Sequence, residues 1–235
     1  MDRCTHYEAF NRLIQSSEGD SKVVARTGAQ QAREAPTSTK ARILATAEEV
    51  FAAKGFEGAS TREIAARAGV NISSLHYHWD SKETLYFAVF QNIYDRIVAL
   101  VRAVGTPPPA AGSVELAVET AMGQLFDFFI DHPTVPKLLL RRLIEEDDTH
   151  VEIERDVLVP AWNVFSSWTR HLRTRPMKEP ESMLFMLTVH SIMLLFVLDS
   201  REFSRLLDGS VRSPEVRKRV RSHIIAVVQR LLESD

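Results

Sequence analysis

Between Asn71 and Lys82 the chain gathers side chains able to engage a polyanion. Asn71, Ser73, Ser74, Tyr77 and His78 are short polar groups and ring donors, of a kind that reaches base edges and phosphate oxygens in a major groove. Thr39, Thr61, Arg62 and Lys82 stand where helices are predicted to begin, and there the backbone N–H groups and the helix dipole favour an anion such as a DNA phosphate. Lys40, Ile72 and His76 complete the predicted contact surface.

Other chemistry is poorly supported. His76 and His78 are two residues apart, so on a helix they point to different sides and cannot share a metal. His150 and Glu154, at i and i+4, read as a solvated pair, and Glu145-Glu146-Asp147-Asp148 as an exposed helix end. Cys4 is the sole cysteine, which excludes a disulfide framework and a zinc-thiolate cluster. The nine glycines never cluster as a phosphate loop or dinucleotide fingerprint requires, and there is no nucleophile elbow. Neither an enzyme nor a cofactor or metal is expected.

The elements that would position these side chains are helical. Of 235 residues, 45% are hydrophobic and 26% charged, a globular composition with enough apolar content for a core. A net charge of −2 excludes nucleic-acid binding by bulk basicity. The N-terminus shows no secretory signal. The longest apolar stretch, Met183 to Leu198, is interrupted by Thr188, His190 and Ser191 and is expected to fall short of a bilayer span. A soluble, cytoplasmic protein is predicted. Residues 15–38 contain only Val23 and Val24 among large aliphatics, so residues 1–38 are read as a mobile arm. The stretch from Lys22 to Arg42 carries five basic residues against one acid, Glu34, making that arm weakly basic.

From Thr39 the apolar residues Ile43, Ala47, Val50 and Phe51 recur on one helical face. Gly55 is expected to stop that helix, with Phe56 folding back on it. Ser60-Thr61-Arg62-Glu63 has the pattern of a capping box for a second, short helix ended by Gly69. Asn71 caps a third, Ile72 to about His78, and Ser81 a fourth, which runs to Val104 before Pro107-Pro108-Pro109. Beyond lie predicted helices over 113–130, 137–146, 151–173 with a kink at Pro160, 181–198, and from Pro214 behind an N-cap at Ser213. Two short helices joined at a glycine turn make a helix-turn-helix, with Ile64, Ala68, Val70 and Leu75 turned inward.

Thr39 to Val89 resembles the N-terminal DNA-binding domain of the tetracycline-repressor (TetR) family. The resemblance rests on Arg42-Ile43-Leu44, Ala47, Phe51, Gly55-Phe56, Ser60 through Ala65, Ala68-Gly69-Val70, Leu75 through Trp79, Ser81-Lys82-Glu83 and Leu85. It implies an all-α protein in which a three-helix domain at 39–89 is linked by a long fourth helix to a helical effector-binding and dimerisation domain at 90–235. It further implies a homodimeric regulator, a repressor that sets its third helices into successive major grooves of a palindromic double-stranded operator and leaves when a small hydrophobic effector binds. Tyr77, His78 and Lys82 match positions that touch phosphates. Ser73, Asn71 and His76 depart from the residues common in the family, so no operator sequence follows. Trp79 replaces a common phenylalanine and is expected to pack under the fourth helix.

Met122, Phe126, Phe129, Trp162, Phe165, Trp168, Met183, Met186, His190 and Met193 fall at helix-compatible spacings in the second block. They could line an effector pocket, with His190 or Thr188 as its polar group, or fill an ordinary core. The segment 183–198 is apolar almost all round, so it needs cover on every side. A dimer interface built from Leu187, Leu194, Val220, Ile224, Val227 and Leu231 would supply that cover. A regulator governed by a protein partner instead of an effector is the alternative.

Overall fold

A computed structural model describes residues 37–105, 113–145, 153–170, 172, 177–198 and 201–233. Every regular element among them is helical. The leader up to residue 36, the triple proline, Glu146-Asp147-Asp148 and His150 lie outside the described residues. The described residues form two compact units, one from 37–95 and 141–163, the other from 96–140 and 164–233. The division between these units falls at 95/96, and 141–163 groups with the N-terminal residues.

In the first unit, α1 (Thr39–Gly58) begins at Ser38, whose Oγ accepts the Ala41 N–H at 3.1 Å. The predicted stripe is real: Ile43, Ala47, Val50 and Phe51 are fully buried. Gly55 breaks the helical geometry with φ 73°, yet one further turn follows to Gly58, so the glycine makes a kink where a stop was expected. The kink turns Phe56 inward, and its ring meets that of Tyr86 at 4.9 Å, while Tyr86 in turn packs edge-on against Phe51 at 4.9 Å and Phe90 at 5.0 Å.

The carbonyls exposed by the kink are met by Arg141. Its Nε donates to the Ala52 carbonyl at 3.1 Å and its Nη2 to the Ala53 carbonyl at 3.0 Å, while Nη1 pairs with Glu145. Glu145 in turn lies against Gly55 so closely that a Cβ there would sit 2.6 Å from its Oε1.

The helices α2 (Thr61–Arg67) and α3 (Ile72–His78) follow. Only half of the expected capping box forms. Ser60 Oγ accepts the Glu63 N–H at 3.2 Å, but the Glu63 carboxylate takes the Lys54 ammonium at 2.7 Å, a charge-assisted bond stronger than the backbone amide could offer. Arg67 pairs with Glu49 at 2.9 Å, so two ion pairs fasten α2 to α1. Helix α4 (Lys82–Val104) starts at Ser81, whose Oγ accepts the Thr84 N–H at 3.1 Å. It buries Leu85, Val89, Ile93, Ile97 and Val101.

In the second unit, α5 (Ser113–Asp131), α8 (Glu179–Val197) and α10 (Pro214–Glu233) pack on one another. Arg217 of α10 reaches Asp127 at 2.9 Å and Asp131 at 2.8 Å on α5. Two prolines expected between helices lie inside first turns. Pro136 sits in α6 (Thr134–Ile144) and Pro180 in α8, where the missing N–H would have no intrahelical partner. Before α7 (Val159–Thr169), residues Glu154–Leu158 form a π turn. This wider ring is how the helix accommodates Pro160, which can neither donate nor clear the carbonyl four residues back. A short α9 (Arg201–Leu206), which the sequence reading does not contain, precedes α10.

By length and composition alone α8 could cross a membrane, over Pro180–Val197, which corrects the shorter stretch read from sequence. Its side chains Val189, Met193, Leu194 and Val197 are buried within the folded unit.

Candidate nucleic-acid interface

The interface is built on a turn. Gly69 takes φ 66° with no atom within 4 Å of where its Cβ would be, so backbone conformation alone demands glycine here. Through this turn the Val70 N–H donates to the Ala65 carbonyl at 3.0 Å, and α3 departs from α2. Helix α3 buries one residue, Leu75. Ile72, Ser73, His76 and Tyr77, at i, i+1, i+4 and i+5, make one exposed face, with Tyr77 84% exposed; Ser74 and His78 are half-buried beside them. The Tyr77 and His78 rings meet edge to face at 5.1 Å, which braces both.

Asn71 is exposed, but part of its chemistry is already committed. Its Oδ1 accepts the Ser74 N–H at 2.6 Å, as the N-cap of α3. Reading adenine in the bidentate manner requires both the amide oxygen and nitrogen, and the cap already takes one of the two lone pairs of that oxygen and fixes the orientation of the amide.

The cations sort in the same way. Arg67 and Lys54 are spent on α1–α2 pairing. Lys82 Nζ donates to the Phe56 carbonyl at 3.0 Å and lies 4.2 Å from the Phe56 ring centroid, so it ties α4 to the kink of α1 while two ammonium hydrogens stay available. Lys40 stacks over Trp79 at 5.0 Å, and Trp79 is 2% exposed, as a packing residue should be. Arg62, one residue into α2, is exposed, and so is Arg42 in the first turns of α1. In the sequence Arg42 stood at the end of the basic run from Lys22 and among the residues of the family resemblance, but not among the predicted contacts. Thr39 and Thr61 are half-buried at the starts of their helices.

Residues 43–89 match the family described as bacterial regulatory proteins, tetR family. Residues 43–89 thus carry a tetR-type regulatory domain. Curated relatives include the HTH-type transcriptional activator FasR of Mycolicibacterium smegmatis, 38% identical over 110 residues that cover 46% of each chain. Another is the HTH-type transcriptional regulator RutR of Escherichia coli, 39% identical over 69 residues, 29% of this chain and 32% of RutR. The matched stretch thus spans about half the length of FasR and less of RutR. A transcriptional regulator from Rhodococcus sp. RHA1 shares the fold, with a TM-score of 0.60 at 20% identity over 85% of this chain and all of that one. The tetR-family assignment and the exposed face of α3 therefore coincide on the same residues.

The second unit holds most of the other predicted site residues. Met122, Phe126, Phe129 and Trp168 are buried, and Phe165, Met186 and His190 half-buried; Trp162 falls in the first unit. Met193 is buried and Met183 half-buried. Burial holds the His190 imidazole below its ordinary pKa, favouring the neutral ring. Thr188, the other proposed polar group, is exposed, and its hydroxyl donates to the Leu184 carbonyl at 2.8 Å; two residues from His190, it faces elsewhere.

The predicted dimer residues separate in two. Leu194, Val220 and Ile224 are at most 3% exposed and belong to the core of their own unit, because α5 already covers that side of α8 and α10. Leu187 is 46% exposed, Leu231 37%, and Val227 half-buried. The exposed face of α8 is the row Leu184, Leu187, Thr188, Ser191 and Leu195, at i, i+3, i+4, i+7 and i+11. Leu184 and Leu195, 66% and 53% exposed, escaped the sequence reading because α8 is apolar on all sides and no polar boundary marks its outer face.

Proposed function

We propose that the chain is a sequence-specific DNA-binding transcriptional regulator, a repressor that occupies a palindromic operator as a homodimer and is released by a small hydrophobic effector. The observation that carries this reading is the face of α3. In a tetR-family domain, a helix held by one buried leucine presents Ile72, Ser73, His76 and Tyr77 outward. An exposed helix of this kind suits direct readout in the major groove, and the exposed Arg42 and Arg62 with Thr39, Thr61, Lys40 and Lys82 suit the phosphates that fix its register.

The dimer reading is supported by the apolar row on α8, which a second copy would cover in an isologous contact together with Val227 and Leu231. The effector reading is supported by His190, a half-buried imidazole on the same helix as Met186 and Met193, in the unit that also buries Phe126, Phe129 and Trp168. In this reading residues 39–89 read DNA and 90–235 serve the effector and the dimer, in the cytoplasm, with 1–38 as an arm.

The test is titration of labelled duplexes covering the DNA beside the gene, at several salt concentrations. Binding should fall with salt, and Arg62→Ala should lower affinity while shallowing the salt slope by about one. Tyr77→Ala should also weaken binding. Binding that is unaltered in both variants, or no binding to any fragment, refutes the proposal.

A further inference from the structure

We infer that Ile72 reads a thymine in each half-site through the 5-methyl group, and so acts as a specificity-determining residue. This rests on the operator-binding reading above. Within residues 39–89, Ile72 and Tyr77 are the large apolar side chains left exposed. Tyr77 carries a hydroxyl and can serve a phosphate; Ile72 has no polar atom. Its side chain is 37% exposed while Leu75 is fully buried, so Leu75 supplies the anchoring of α3.

The neighbours of Ile72 narrow its role further. The Asn71 amide is held in place by its bond to the Ser74 N–H and Ser73 offers a single hydroxyl, so hydrogen-bond readout at this end of the face is limited. Across the major groove, bases present donors, acceptors and one apolar feature, the thymine methyl. An aliphatic side chain gains only from that feature, and it excludes water from the polar edge of any other base without replacing the lost hydrogen bonds.

The experiment enriches binding sites for the full-length protein from a randomised duplex library, then replaces each thymine of the enriched site singly by deoxyuridine. Deoxyuridine keeps the pairing edge and removes the methyl. For the unsubstituted protein, one position per half-site should lose about fourfold in affinity, the value of leaving one methyl group exposed. Ile72→Ala should bind the thymine duplex more weakly by a similar factor and should be indifferent to deoxyuridine at that position. If uridine replacement changes nothing anywhere in the site, or if Ile72→Ala stays sensitive to it, the inference is overturned while operator binding stands. Failure to enrich any sequence overturns the operator reading and this inference together. The uridine series on the unsubstituted protein needs no variant to fold.

Discussion

Arg141→Met removes the guanidinium that covers the kink of α1 and keeps most of the aliphatic stem. Two hydrogen bonds are lost, to the Ala52 and Ala53 carbonyls at 3.1 and 3.0 Å, together with the pairing to Glu145. A hydrogen bond to a charged group contributes roughly 1.5–3 kcal/mol when buried. Arg141 is 35% exposed, so the lower end applies and water replaces part of it; about 1 kcal/mol for each carbonyl is reasonable. The half-exposed ion pair adds no more than about 0.5 kcal/mol. The expected loss is about 2 kcal/mol, which lowers the melting temperature of a chain this long by about 4–8 °C. Glu145→Gln alone should cost about 0.5 kcal/mol or less, and Arg141→Lys should fall in between, because one ammonium cannot reproduce the planar fork. Chemical denaturation of the four proteins, followed by circular dichroism, measures these differences. If Arg141→Met stays within 0.5 kcal/mol of the parent, the carbonyl caps at the kink contribute nothing and the reasoning fails.

Gly69→Ala should destabilise by about 1 kcal/mol through the positive φ alone, since a Cβ there has open space; an unchanged midpoint would show that the turn relaxes without cost. Leu184→Glu should convert a dimer to a monomer in sedimentation without unfolding it, whereas Ile224→Ala should cost about 2–4 kcal/mol of stability; the reverse pattern would place the core and the interface on the wrong sides. The Arg217 guanidinium holds the Asp131 carboxyl below its ordinary pKa. Its contribution is therefore present above the usual carboxylate range and is lost as pH falls through the lowered folded value, so Asp131→Asn should flatten that part of a stability-against-pH curve. The His190 imidazole also has a lowered value. Stability should decline as pH falls below the ordinary histidine pKa, and His190→Leu should remove that decline.

The helix starts were legible wherever a short polar side chain preceded an apolar stripe, and Ser60, Asn71 and Ser81 all accept the amide expected of them. The prolines misled. A rule that sets proline between helices missed Pro136 and Pro180, because proline is equally at home in a first turn. The exposed face of α3 was readable because its one buried leucine is flanked by Ser73, Ser74, His76, Tyr77 and His78. What the polar residues were already bonded to could not be read. The Asn71 cap was foreseen, but not that it fixes the orientation of the exposed amide, and Lys82 reaches a carbonyl 26 residues earlier in the chain. Glu145 read only as part of an exposed helix end, and Arg141, its i, i+4 partner, carried no expectation. Their attachment at Ala52 and Ala53 depends on a contact across nearly ninety residues, to which no local pattern points.

Leu75 is the one fully buried side chain of α3, while Ser73, His76 and Tyr77 are exposed. Changes at those three positions thus carry little folding cost, and a lineage can drift from one target sequence to another without passing through unstable intermediates. The same separation makes the helix a cassette: its outer residues can be exchanged to retarget the domain, provided Gly69, Asn71 and Leu75 are left alone.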